Sequence, residues 1–193
     1  MARPRSISDQ QIHDAAREVF VKHGPNAAVS LIAEKLAVSH AALFGRSGTK
    51  QRLMLEALKP GRPDALESLA ESPPRAGARA RLVDILIELM AFFRRIVPNL
   101  VTLRSAGKSM VGRPPEGQAP PPVALRRLLT RWLKRSKTSG NMEPPRAWAV
   151  AEGLLGAMEA RCFNSHLGGS AFAPGTDSVF IRRLVTGLLG KTR

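Results

Sequence analysis

Four histidines, one cysteine and one glycine-rich cationic run are the residues of this 193-residue chain whose types suit catalysis or metal binding. Their spacing suits neither. His13, His23, His40 and His166 are scattered, Cys162 has no second cysteine, and no interval among them matches a tetrahedral metal site. Gly45-Arg46-Ser47-Gly48-Thr49-Lys50 is friendly to phosphate but departs from the Gly-x-x-x-x-Gly-Lys-Ser/Thr loop, and no strand is predicted before it. No Gly-x-Ser-x-Gly elbow is present. The chain is therefore expected to be no enzyme and to need no cofactor or metal. A different chemistry fits Ser39-His40-Ala41-Ala42-Leu43-Phe44. Two short helical patterns meet there across Leu36-Ala37-Val38-Ser39, a connection short enough for a helix-turn-helix. Small Ala33 permits a close helix crossing and Val38 plugs the turn. In such a unit the second helix enters the major groove, where its N-terminal side chains meet base edges.

The elements that position this run are helical throughout. Ser8 with Gln11 three residues on reads as a capping box, followed by Ile12, Ala15, Ala16, Val19 and Phe20 on one apolar face. Gly24-Pro25-Asn26 stops that helix. Val29, Ile32, Ala33 and Leu36 mark a second helix. Ser39 caps a third, and a fourth starts near Lys50 with Leu53, Met54, Ala57 and Leu58. Beyond Pro60-Gly61-Arg62-Pro63 the periodicity predicts a long helix through Leu82, Ile85, Leu86, Leu89, Met90 and Phe93, ended by Pro98, and another around Leu100 to Met110. Gly112 to Pro122 is a Pro/Gly-rich loop. Leu125 to Leu133 is helical, with Arg126, Arg127, Arg131, Lys134 and Arg135 around its solvent side. Pro144-Pro145 opens a helix to about Phe163, and Asp177 to Leu189 closes the chain. The expected fold is all-α, with about nine helices in a head over residues 1–55 and a body over 56–193.

A formal net charge of +15 favours an anionic partner. With a single cysteine no internal disulfide is expected, which fits a reducing cytoplasm. The most apolar stretch, Ala147 to Phe163, is interrupted by Glu152, Glu159 and Arg161, so no membrane span is predicted.

Ile12, Ala15, Ala16, Phe20, Gly24, Ile32, Ala33, Val38, Ser39, Leu43, Phe44, Gly48, Thr49 and Lys50 stand in an order that resembles the head of the tetracycline-repressor (TetR) family. That resemblance implies a transcriptional regulator, commonly a repressor, that binds a palindromic double-stranded DNA operator as a homodimer and is released by a small-molecule effector. It implies a bacterial cytoplasmic protein, associated with the nucleoid while on DNA. By the same likeness Ser39, His40, Ala41 and Ala42 face the groove, Phe44 lies along the backbone, and Thr49 and Lys50 open a helix whose N-terminus and ammonium suit a phosphate. Arg46 is a further phosphate candidate, and Arg3 and Arg5 form an arm toward the neighbouring groove. An alternative is a helical dimeric adaptor or ligand-binding protein of this fold with weakened operator recognition.

Ser47, which stands where the family has a packing phenylalanine, and the alanine-rich reading helix support that alternative; Phe44 in place of the family's tyrosine, Ala27 or Ala28 in place of a capping threonine, and Ser30-Leu31 are further departures. Losing a buried aromatic costs about 3–5 kcal/mol, so either the head is looser or a neighbour fills the space; weaker or more conditional DNA binding is expected, and Ser47→Phe is expected to raise the melting temperature or operator affinity. The resemblance also implies an effector cavity in the body, with Met90, Phe93, Leu103, Met110, Trp132, Trp148, Leu155 and Met158 as candidate lining. Ala151, Leu154, Phe180, Leu184 and Leu188 are the candidate dimer face, because the last two helices are apolar over more than one side.

Overall fold

In a computed structural model, residues 7–108, 119–136 and 144–190 are described, and among them nine helices and no strand are found, as the periodicity predicts. The helices are α1 (Asp9–His23), α2 (Ser30–Leu36), α3 (His40–Ser47), α4 (Lys50–Leu58), α5 (Ala65–Ala70), α6 (Ala78–Ser105), α7 (Pro121–Arg135), α8 (Pro144–Phe172) and α9 (Asp177–Leu189). None of the described helices is long and apolar enough to cross a membrane. Arg3, Arg5, Met110 and most of the 112–122 loop lie outside the described residues.

The chain divides into two compact units. The head comprises residues 7–61 and 98–108, and the body comprises 62–97, 119–136 and 144–190. Residues 98–108 join the head because Leu103 is buried in the head's apolar core and the Asn99 amide donates to the Leu58 carbonyl at 3.2 Å, capping the end of α4. Instead of stopping at Pro98, α6 runs through it, with Thr102 Oγ1 donating back to the Pro98 carbonyl at 3.0 Å. A proline inside a helix forfeits one backbone bond. Buried Ile96, Asn99, Thr102 and Leu103 hold the continuation in place. The predicted second helix near Leu100 is thus the end of the first.

In the head, Ser8 and Gln11 make the reciprocal capping box at α1. Ile12, Ala15, Ala16, Val19 and Phe20 are buried against Ile32, Ala33, Leu43, Leu53, Met54, Ala57 and Leu58. The α2–α3 turn passes through Ala37 in the left-handed region (φ 53°, ψ 45°), its N–H donating to Ala33 and Glu34, while Val38 N–H donates to Ala33. A side chain there is uncommon outside glycine and asparagine. Across the head, Arg17 Nε donates to the Ala57 carbonyl at 3.0 Å and joins α1 to α4.

The body buries the long apolar face of α6 (Leu82, Ile85, Leu86, Leu89, Met90) against Leu129, Trp132 and Leu133 of α7, Ala151, Leu154 and Met158 of α8, and Ile181 and Val185 of α9. Past Phe163, where the predicted helix ends, α8 continues to a break at Gly168 and Gly169 and then to Phe172. A Cβ on Gly168 would meet the Phe172 ring at 2.6 Å, so a residue without one lets the ring fold back. Cys162 is buried with its Sγ 3.4 Å from Met90 Sδ. Burial raises its thiol pKa to about 11. A maleimide is therefore expected to leave the native chain unlabelled and to label it in denaturant; rapid native labelling at neutral pH would contradict the packing.

Candidate nucleic-acid interface

The short helix α3 is held at both ends and along one side. Ser39, extended at φ −71° and ψ 152°, accepts the Ala42 N–H on its Oγ at 3.1 Å. At the other end Gly48, at φ 73°, returns its N–H to the Phe44 carbonyl. Leu43, 1% exposed, anchors the inner side. His40, Ala41 and Ala42 all face solvent. One turn of helix thus offers a single imidazole and two methyls outward, backed by a fixed buried residue. Phe44 is half-buried against the head core, its ring 4.6 Å from that of His40 in an edge-on arrangement.

Directly after α3, Thr49 caps α4 by accepting the Arg52 N–H at 3.1 Å. Lys50 is the first residue of α4, partly exposed and in no ion pair among the described residues. The cap takes the Thr49 hydroxyl oxygen as an acceptor and leaves its proton free to donate. Arg46 differs from its expectation as a ready phosphate group. Its guanidinium is engaged with the Asp9 carboxylate and the Ile7 carbonyl at the start of α1. Asp9 is exposed, so this pair is open to exchange for an external phosphate. In the free chain, however, Arg46 ties α3 to α1. The partner is 37 residues away, and sequence spacing carried no signal of it.

Ser47 is 4% exposed and its Oγ donates to the Leu43 carbonyl at 2.8 Å. The position is as interior as the resemblance requires, but neighbouring groups already close over it and the hydroxyl is satisfied. This changes the expected outcome of filling it. Ser47→Phe is now expected to overpack the head and destabilise it by about 1–3 kcal/mol, read as a lower melting temperature, while Ser47→Ala stays within about 0.5 kcal/mol because alanine's helix propensity offsets the lost bond. A rise in melting temperature with phenylalanine would show an unfilled space.

The remaining candidates are dispersed. Met90, Phe93, Trp132, Leu155 and Met158 are packed in the body core. Leu103 lies in the head core instead, because the end of α6 belongs there. Trp148 is 51% exposed and lies outside the buried core of the body. Of the expected group, Trp132 borders a cleft of about 310 Å³ edged by Ser68, Glu71, Ser72, Pro74 and Arg81. Ala151 and Leu154 are fully buried within the single chain and so do not lie on a face open to a second copy. Phe180, Leu184 and Leu188 are partly buried against the same core. The apolar groups left exposed on α8 and α9 are others: Trp148, Phe163, Leu167, Phe172 and Val179. Among the described residues no cluster of three or more His, Cys, Asp or Glu is arranged to hold a metal ion.

Residues 12–57, which span α1 to α4 almost entirely, match the family of bacterial regulatory proteins, tetR family. No curated protein matches the chain. Among solved structures, the fold is similar to a TetR-like transcriptional regulator from Rhodococcus sp. RHA1, with 22% identity and a TM-score of 0.62 over 98% of this chain and 100% of that one. It is also similar to the fatty acid degradation regulator FadR from Bacillus halodurans, with 18% identity and a TM-score of 0.60 over 100% of this chain and 98% of that one.

Proposed function

We propose that the chain, whose residues 12–57 match the model of bacterial regulatory proteins, tetR family, is a ligand-responsive repressor that binds a palindromic operator as a homodimer through α3. The observation that carries this reading is the outward surface of α3. His40, Ala41 and Ala42 are exposed, while the Ser39 cap and buried Leu43 fix the helix behind them. A recognition surface must present exposed side chains: Ala41 and Ala42 are open to solvent, and His40 is exposed with its ring edge-on to Phe44. Alanine methyls suit thymine, and the imidazole suits a polar base edge. Lys50 at the start of α4 adds a charge-assisted phosphate contact where helix amides already point outward.

Two heads must sit about 34–36 Å apart to enter successive major grooves. The exposed apolar groups of α8 and α9, Trp148, Phe163, Leu167, Phe172 and Val179, support self-association through these helices. An effector in the body releases DNA by the difference between its affinities for the two head spacings. Gel shifts on DNA upstream of the chain's own gene test the proposal. The expected result is a preference for one palindromic site over bulk DNA, with affinity falling steeply as salt rises. Equal affinity for all sequences would leave the fold without operator recognition.

A further inference from the structure

We propose that the body has a nucleic-acid surface of its own: the exposed side of α7, which binds duplex DNA through its phosphates without reading sequence. The helix α7 carries five cations, Arg126, Arg127, Arg131, Lys134 and Arg135, and no acidic residue. Two of them are committed inside the body. Arg126 pairs with Glu152 at 2.6 Å, and Arg135 donates to the Glu71 carbonyl at 3.1 Å. The other three, Arg127, Arg131 and Lys134, are exposed and have no ion pair or hydrogen bond to any described residue. At positions i, i+4 and i+7 they form one stripe about 10 Å long.

Like charges at this spacing oppose the helix. The helix dipole favours cations only in the last turn, which covers Lys134 but not Arg127 or Arg131. The stripe is therefore maintained against its own repulsion, which a polyanion relieves. Charge is not concentrated in the head either. Residues 62–97 and 113–193 hold 19 Lys and Arg against 10 Asp and Glu, a formal +9 of the chain's +15. Between polyanions, the apolar content of the face decides. A membrane-surface helix sets large apolar groups beside its cations, and none of the exposed large hydrophobic residues belongs to α7. A phosphate backbone asks for cations alone.

The test uses the full chain and a short duplex of arbitrary sequence, with binding followed across a salt series. It does not depend on operator recognition. Replacing Arg127, Arg131 and Lys134 by glutamine is expected to flatten the slope of log affinity against log salt by about 2–3, at about 0.9 per phosphate contact. The melting temperature is expected to stay unchanged or to rise. A control of equal charge, R62Q/R75Q/R95Q, takes three exposed cations from elsewhere in the body and is expected to leave the slope nearly as in the parent. An unchanged slope in the stripe variant overturns the proposal, as does an equal flattening in the control, which would make the effect one of diffuse charge. Stripe-dependent binding to vesicles containing anionic lipid that exceeds binding to the duplex also overturns it.

Discussion

An Ala41→Glu variant is expected to lose at least about a hundredfold in operator affinity while melting at the parent's temperature or slightly above it. Ala41 is exposed in the first turn of α3, so the substitution removes no packing. A carboxylate near a helix N-terminus is favoured by the dipole. Against DNA the same carboxylate meets phosphates and base acceptors. A like-charge juxtaposition at an interface costs several kcal/mol, and each 1.4 kcal/mol is a factor of ten. Affinity measured by anisotropy and stability measured by thermal melting separate the two effects. A loss below threefold would mean that α3 does not enter the groove. Equal losses of stability and affinity would mean that Ala41 packs against the head.

The second large effect belongs to the body. Arg161, 7% exposed, donates through Nε to Asp177 at 2.9 Å, through Nη1 to the Pro174 carbonyl at 3.1 Å and through Nη2 to the Gly175 carbonyl at 2.6 Å, and its guanidinium lies 4.7 Å from the Phe180 ring centre. One side chain thus fixes the turn between α8 and α9. Arg161→Met removes three charge-assisted hydrogen bonds and a cation–π contact and is expected to cost about 3 kcal/mol. For a chain of this size that is roughly 6–12 °C in melting temperature. Arg161→Lys keeps the charge but lacks the planar fork, so it is expected to recover less than half. Full recovery by lysine would reduce the clamp to a simple ion pair.

The same clamp has a pH signature. Hydrogen bonds from Arg94 first and Arg161 second, together with their charges, hold the Asp177 carboxyl below the ordinary carboxylate range, against the opposing effect of its partial burial. A group depressed in the folded state binds its proton less tightly there than in the unfolded chain. Its contribution is therefore present above the unfolded value of about 4 and is lost as pH falls through the lower folded value. Asp177→Asn is expected to lower the melting temperature at neutral pH and to flatten its decline on acidification. An unchanged acid limb would mean that other carboxylates dominate it.

The head was legible because its signals are local. The Ser8 box, the three- and four-residue apolar spacing and the Ser39 cap each lie within a few residues, and each is present in the structure. What could not be read depends on partners far along the chain. Asp9 engages Arg46, Arg94 and Arg161 converge on Asp177, and Asn99 caps α4, at separations at which hydrophobic periodicity says nothing. Leu103 shows the same limit, since its apolar face was visible but its destination in the head was not. The body helix α8 illustrates a third kind of ambiguity. A helix apolar over most of its circumference announces that two sides must be covered without saying which side its own chain covers. Ala151 and Leu154 proved to be the inner side, and Trp148, Phe163 and Leu167 the outer.

Footprinting of the full chain on its upstream DNA tests most directly whether α3 is the element that reads the duplex. Two protected major-groove segments about one helical turn apart, lost together in the Ala41→Glu variant, are the predicted result. A footprint that survives that substitution unchanged, or protection with no preferred position on the duplex, would contradict it.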